Sequence, residues 1–301
     1  MQNPSFLKIG DNVAIVATAK RLQSGIEKGV DLIKSWGLNV HVGEHVFDED
    51  NLFAGSDLDR LNDIQLALDD PQIKAIIMVR GGYGTTRILD QLDFTAFKSA
   101  PKWICGYSDI TALHQKVNNL GFCSIHSTMT NVMGLDDYAL SDETLKNALF
   151  GKPLTYNFTV EGKNRMGNAS GELCGGNLSL ICNSIGTSSE IDTSGKVLFI
   201  EEVGEYLYNL DRMLVQLKRA GKFDNLKGLV VGYFTNMKDH KDTFGLNEIE
   251  IIRAQCADYE FPIAFGFPAG HETPNCALYL GEQVSMKVEK SKSLLEYKSS
   301  Q

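Results

Sequence analysis

No stretch of this 301-residue sequence approaches the ~20 consecutive apolar residues that carry a helix across a bilayer, so no membrane partner is expected. The N-terminus, MQNPSFLKIGDNVAIVATAK, lacks the basic segment followed by an apolar block that marks a secretory signal. Excess positive charge is missing too. The formal net charge is −9, whereas a nucleic-acid partner needs a basic surface to neutralise phosphates. The six cysteines form no C-x-x-C pair; with no export signal they read as reduced, buried thiols of a cytoplasmic protein. Proline is scarce at seven residues, and internal repeats, heptads and low-complexity blocks are absent. What remains, 43% hydrophobic and 22% charged, is an ordinary globular composition in a chain long enough for two domains.

What is present is alternation. NVAIVAT (Asn12–Thr18) reads as a buried strand, followed by a helix with Ile26, Val30, Ile33 and Trp36 on one face and Gly37 as its stop. A strand LNVHV comes next. Ser56 then caps a helix whose apolar face is Leu58, Leu61, Ile64 and Leu68, and KAIIMV, PKWIC and FCSIH supply further strands. Such alternation with continuous apolar strands predicts an α/β fold, with a parallel sheet covered by helices over residues 1–150. From 151 to 170 the polar, glycine-rich texture predicts a linker with short extended pieces. Strand and helix patterns resume in a C-terminal α/β domain, 171–301, from KVLFIEE to the closing pieces CALYL, QVSMKVE and SLLEY. In parallel sheets, ligand sites form beyond the strands' C-terminal ends, and both RGGYG (Arg80–Gly84) and GYSD (Gly106–Asp109) stand at such ends.

Strand, glycine turn and helix are the setting of a dinucleotide fingerprint, but G-x-G-x-x-G from Gly82 meets Arg87 at its last position, and no P-loop lysine follows. The glycines either make a tight turn or bring a backbone N–H close to a substrate carbonyl, as an oxyanion hole requires. Ser108 has two readings as well. It fits a helix N-cap, accepting from the N–H of Ile110 or Thr111. It also sits as the serine of a nucleophile elbow does, although Ile110 replaces the last glycine of G-x-S-x-G.

A nucleophilic serine needs a base, and six histidines are available. His41 and His45 have no nucleophile nearby in the pattern, His114 packs on a helix, and His240 lies in the exposed loop MKDHKD. His126 ends a strand and is a candidate to line the site. His271 follows a strand and a Pro-Ala-Gly turn, where a rigid loop can aim an imidazole. HETPN is not H-E-x-x-H, and no ligand cluster points to zinc. A carboxylate to orient the imidazole is offered by VLFIEEVGE: alternation turns one of Glu201 and Glu202 toward the site and one away, and spacing does not choose between them.

RGGYG, GYSDITALH, GELCGGNLSL, FIEEVGEYLYNLDRMLVQL and FPAGHETPNCAL, in this order across nearly the whole chain, resemble the LD-carboxypeptidases, a serine peptidase family. The resemblance implies a parallel-sheet N-terminal domain, a smaller C-terminal α/β domain and an active site between them. It implies Ser108 as nucleophile, Glu201 as triad acid and His271 as general base. The backbone N–H groups of Gly82 and Asp109 correspond to the oxyanion hole. The implied protein is a cytoplasmic homodimer without metal or organic cofactor that removes the terminal D-alanine from murein tetrapeptide during wall recycling. Arg80 is a candidate by position for the substrate carboxylate, and Asn177 for a second wall. Relatives that resemble microcin-immunity peptidases cleave aminoacyl-nucleotide conjugates with the same triad, which is the alternative reading. The short segment between GGNLS and VLFIEE favours the murein substrate.

Overall fold

The computed structural model describes residues 1–160 and 162–297. The chain divides into two compact units, one of residues 1–153 and 274–280, the other of 154–273 and 281–301.

The first unit alternates β1 (Asn12–Val16), α1 (Glu27–Ser35), β2 (Asn39–Val42), α2 (Asp57–Asp69), β3 (Ile73–Met78), α3 (Thr85–Ile88), α4 (Thr95–Ser99), β4 (Trp103–Gly106), α5 (Thr111–Asn119), β5 (Ser124–His126) and α6 (Ala139–Leu149). Its six-stranded sheet has the order β11-β5-β4-β3-β1-β2, where β11 is Leu278–Leu280. All neighbours are parallel except β11, which runs antiparallel to β5. Residues of β3, β4 and β5 are almost all buried, as expected of parallel strands covered on both faces.

Helix α2 departs from its apolar pattern. Leu58 is 62% exposed, while Arg60 and Asp63 turn inward with Ile64, Ala67 and Leu68. Hydrogen bonds make that possible. Arg60 donates to two backbone carbonyls, and Asp63 accepts from His45 through its N–H and Nδ1 at 2.9 and 2.8 Å. The buried Lys102 closes the same helix, donating to the carbonyls of Ala67, Leu68 and Asp70 at 3.0, 2.7 and 2.7 Å. Burial pulls its ammonium down to about 8.

The second unit contains β6 (Thr155–Thr159), β7 (Gly167–Asn177), α7 (Leu178–Ser184), β8 (Val197–Val203), α8 (Leu207–Arg219), β9 (Gly228–Thr235), α9 (Glu248–Gln255), β10 (Ile263–Phe265), β12 (Gln283–Val288) and β13 (Lys292–Tyr297). Its seven-stranded sheet runs β10-β9-β8-β7-β12-β13-β6. The β10 to β7 half is parallel and the rest antiparallel. The core gathers Leu198, Ile200, Leu229 and Val231 under Leu210, Leu214 and Leu217 of α8. Each such side chain contributes ~1.5–3 kcal/mol on burial.

Two expected boundaries shift. Within 151–170 the expected short extended pieces are strands of the second unit's sheet, since β6 pairs with β13 and β7 begins at Gly167. Pro274–Leu280 belongs to the first unit, where β11 extends the sheet beside β5. Both departures are long-range pairings with no local signal. All six cysteines are buried and free. Among the described residues, no helix is long and apolar enough to cross a membrane.

Candidate active site

In the first unit, β4 ends at Gly106 and the chain turns sharply. Ser108 has φ +64°, in the left-handed region that a residue with a Cβ enters at a cost of ~1–2 kcal/mol. It opens a short 3-10 turn, Ser108–Ile110, and α5 starts only at Thr111. Ser108 is thus the first residue of the 3-10 turn, and the cap positions of the two helical segments fall on Tyr107 and Ile110, neither of which caps with its side chain. What holds the strained turn is Gly106. Its carbonyl accepts from Ser127 N–H at 3.1 Å and from His114 Nε2 at 2.9 Å. Because Nε2–H donates, His114 Nδ1 must accept from the Ser124 hydroxyl, at 2.9 Å. Burial lowers the His114 pKa to about 4, so this ring, expected from the sequence to pack on its helix, is a neutral strut.

The glycine turn after β3 lies against the serine. A Cβ on Gly81 would stand 2.8 Å from Ser108 Cβ, 3.1 Å from its Oγ and 3.4 Å from the Asp109 nitrogen. Gly81 thus makes the close approach, where the sequence draws attention to Gly82. Gly82 has φ +122°, and the three atoms nearest a Cβ there all belong to the Lys20 side chain. Asp109 is buried, its Oδ2 accepting from Thr85 N–H at 2.8 Å, and burial pushes its carboxyl up. Arg80 is half-buried, with Nη1 donating to the Arg21 carbonyl at 3.0 Å. Its Nε is buried with no partner among the described residues. His126 is buried and its Nε2 meets Asn275 Oδ1 at 3.1 Å.

In the second unit, β8 delivers two buried carboxylates in succession. Glu201 Oε2 lies 2.6 Å from His271 Nδ1. Glu202 turns the other way, its Oε1 accepting from Asn177 Nδ2 at 3.0 Å and its Oε2 from Ser179 N–H at 2.8 Å. The strand-end ambiguity resolves through what packs on each side. His271 reaches Glu201 because the loop after β10 is bonded to β9: Phe267 N–H donates to Val231 O at 3.0 Å and Tyr233 N–H to Ala269 O at 2.9 Å. Two glycines permit this, Gly232 and the Gly270 of the Pro-Ala-Gly turn. A Cβ on Gly232 would fall 2.4 Å from Ala269 O, and one on Gly270, at φ +131°, 3.1 Å from Glu201 Oε2.

The Nδ1–H of His271 donates to Glu201, which leaves Nε2 as the basic nitrogen. Burial works against the charged ring. The charge and hydrogen bond of Glu201, with the charge of Glu202, outweigh it and raise the His271 pKa above 6.5. Asn177, the residue expected at a second wall, bonds within its own unit. It is 3% exposed, with Oδ1 capping α7 at Leu180 N–H (3.3 Å) and Nδ2 on Glu202. Among the described residues no three His, Cys, Asp or Glu side chains gather to hold a metal ion.

Two family models match the chain in succession. Residues 13–127 match the LD-carboxypeptidase N-terminal domain and residues 170–286 the LD-carboxypeptidase C-terminal domain. A probable murein peptide carboxypeptidase of Bacillus subtilis (strain 168) is 33% identical over 299 residues, covering 97% of this chain and 94% of that protein. The crystal structure of muramoyltetrapeptide carboxypeptidase from Oxalobacter formigenes superposes with a TM-score of 0.87 at 26% identity, covering 96% of this chain and 99% of the other. MccF in complex with glutamyl sulfamoyl guanosine shares the fold, with a TM-score of 0.88 at 19% identity and 98% of each chain covered. The chain belongs to the LD-carboxypeptidase family and is a serine-type carboxypeptidase, a hydrolase of peptide bonds.

Proposed function

We propose that the protein removes the terminal D-alanine from murein tetrapeptide, cleaving the L,D bond after the diamino acid, through Ser108, His271 and Glu201. The observation that carries this reading is the Glu201–His271 pair, an imidazole tied at 2.6 Å to a fully buried carboxylate. A carboxylate so placed holds one tautomer and stabilises the imidazolium formed during proton transfer. The strained Ser108 turn, which costs stability, supports a nucleophile there.

The steps follow from these roles. His271 Nε2 takes the Ser108 proton as Oγ attacks the scissile carbonyl carbon. The resulting oxyanion is held by backbone N–H groups of Asp109 and of the glycine turn at Gly82. Protonated His271 returns the proton to the departing amine of D-alanine as the C–N bond breaks, leaving an acyl-enzyme on Ser108. Water, deprotonated by His271, attacks the ester and frees Ser108. Arg80 is the group proposed for the substrate's terminal carboxylate, since its guanidinium is already anchored on Arg21 O beside the glycine turn. A cytoplasmic homodimer acting in wall recycling completes this reading.

A second reading, hydrolysis of an aminoacyl-nucleotide conjugate, is favoured by one observation. Beyond the ends of β8 and β9 the rings of Tyr206 and His240 stack at 4.4 Å, with Tyr208 at 5.3 Å from His240, a surface on which a base could lie. Mass-spectrometric release of free D-alanine from purified murein tetrapeptide tests the choice, with folded Ser108→Ala alongside. Release by the wild type and none by the variant supports the murein reading. No release by either transfers the assay to aminoacyl-nucleotide conjugates, and equal release by both rules out Ser108.

A further inference from the structure

We propose that Asp109 and Arg60 clamp a single peptide plane, that between Gly84 and Thr85, and that this clamp is the positioning device for the glycine turn; the proposal rests on Ser108 being the nucleophile. The Thr85 N–H donates to Asp109 Oδ2 at 2.8 Å. On the other side of the same plane, the Gly84 carbonyl accepts from Arg60 Nη1 at 3.1 Å. An anion at the N–H and a cation at the oxygen both reinforce the peptide's own polarity. Each charged group is only 1% exposed.

Arg60 is itself fixed from several directions. Nη1 also donates to Thr18 O at 2.8 Å, Nη2 pairs with Asp57, and the guanidinium lies 4.7 Å from the centre of the Phe53 ring. Gly84 makes the grip possible, because a Cβ there would come within 2.6 Å of Arg60 Nη1.

The placement of the clamp explains its use. Asp109 carries one proposed oxyanion donor on its own backbone, while its side chain grips the loop that carries the other. One residue therefore fixes the spacing between both donors and Ser108, whose Oγ already has the Gly81 backbone against it. Errors of ~1 Å in such positioning cost ~10²-fold in rate.

The test uses the full chain and murein tetrapeptide, with kcat expressed per serine titrated by a fluorophosphonate. For Asp109→Ala the expected result is a ~10–100-fold fall in kcat per titrated serine with KM within about twofold. Asp109→Asn, whose amide oxygen still accepts from Thr85 N–H, should recover most of that loss. A purely structural role would lower the melting temperature and the titratable fraction and leave kcat per titrated serine intact. That result, or an Asp109→Asn as impaired as Asp109→Ala, would overturn the clamp. If Asp109→Ala does not fold, Asp109→Asn decides alone: near-complete kcat supports the clamp and a deep loss rejects it. Absence of release by the wild type, by contrast, would reject the murein reading itself.

Discussion

Glu201 and Glu202 are neighbours on one strand with opposite allegiances: Glu201 Oε2 holds His271 Nδ1 at 2.6 Å, and Glu202 holds Asn177 and the first turn of α7. Their removal should therefore separate chemistry from stability. Glu201→Gln is expected to reduce kcat by ~10³–10⁴, the scale seen when a triad acid no longer fixes its imidazole, with little change in melting temperature. Glu202→Gln replaces an acceptor oxygen by an NH₂ facing N–H donors, and should lower stability by ~1–3 kcal/mol while keeping most of kcat. Turnover and thermal melts of both variants check this, and the reverse pattern would reassign the acid.

The pH dependence has a definite sign. A general base works only when neutral, and the His271 pKa lies above its ordinary 6.5 because Glu201 and Glu202 outweigh burial. Plots of kcat/KM should therefore lose activity as pH falls through a value above 6.5. In Glu201→Gln the principal raising charge is gone, burial dominates, and the acid limb of the residual activity should move to lower pH. A limb that stays in place would separate His271 from the rate.

Ser108 should be worth more to activity than to stability. Its φ of +64° suits glycine, so Ser108→Gly is expected to raise stability by ~1 kcal/mol while abolishing turnover. Ser108→Ala, which keeps a Cβ at the same φ, should abolish turnover without that gain. Urea midpoints of the three proteins decide it, and equal midpoints for Ser108→Gly and Ser108→Ala would mean that the turn carries no strain.

The same residue shows where sequence reading reaches its limit. Strand–helix alternation is legible because each strand is a short apolar run and each helix has its own period. The left-handed turn at Ser108 is imposed by tertiary packing on a residue whose type favours an ordinary cap, and its φ is not legible in the letters. Glu201 and Glu202 are indistinguishable as letters, and only the loop bonded to β9 on one side and α7 on the other separates them. In α2, the apolar pattern names Leu58 for the buried face and says nothing of Arg60 and Asp63, whose burial depends on partners distant in sequence. The pairings of β6 with β13 and β11 with β5 span more than a hundred residues, and no local pattern announces them.

Gly81 offers a substitution outside the proposed triad with a steep expected effect. A Cβ there would meet Ser108 Cβ at 2.8 Å and Oγ at 3.1 Å, closer than packed atoms tolerate. Gly81→Ala must displace either the serine or the turn, and kcat should fall ~10²-fold in a protein that still melts cooperatively. The atoms nearest a Cβ on Gly82 belong to the Lys20 side chain rather than to Ser108, although its φ of +122° adds backbone strain. The Gly81 variant should therefore lose more turnover per titrated serine, and comparable turnover for wild type and Gly81→Ala would show that the contact does not constrain Ser108.

His114 should make the first unit acid-sensitive. Its folded pKa is about 4, lowered by burial against the hydrogen bond to Gly106 O, while the unfolded ring titrates near 6.5. Between these values the unfolded state binds more protons, so stability is complete above ~6.5 and is lost as pH falls toward 4. The full difference corresponds to about 3 kcal/mol. Asp142 opposes it: burial raises its carboxyl to about 6 from 3.8, so the folded state binds more protons in that window and gains stability on acidification. The wild type should thus show a shallow acid response in which two slopes partly cancel. Asp142→Asn removes the opposing slope and should steepen the loss between pH 6.5 and 4.5, whereas His114→Gln should flatten or reverse it. Urea unfolding at pH 7, 5.5 and 4.5 for the three proteins measures each slope. An acid response unchanged by His114→Gln would mean that the buried imidazole is not the proton acceptor on unfolding, and that the strut beneath Ser108 is already protonated in the folded state.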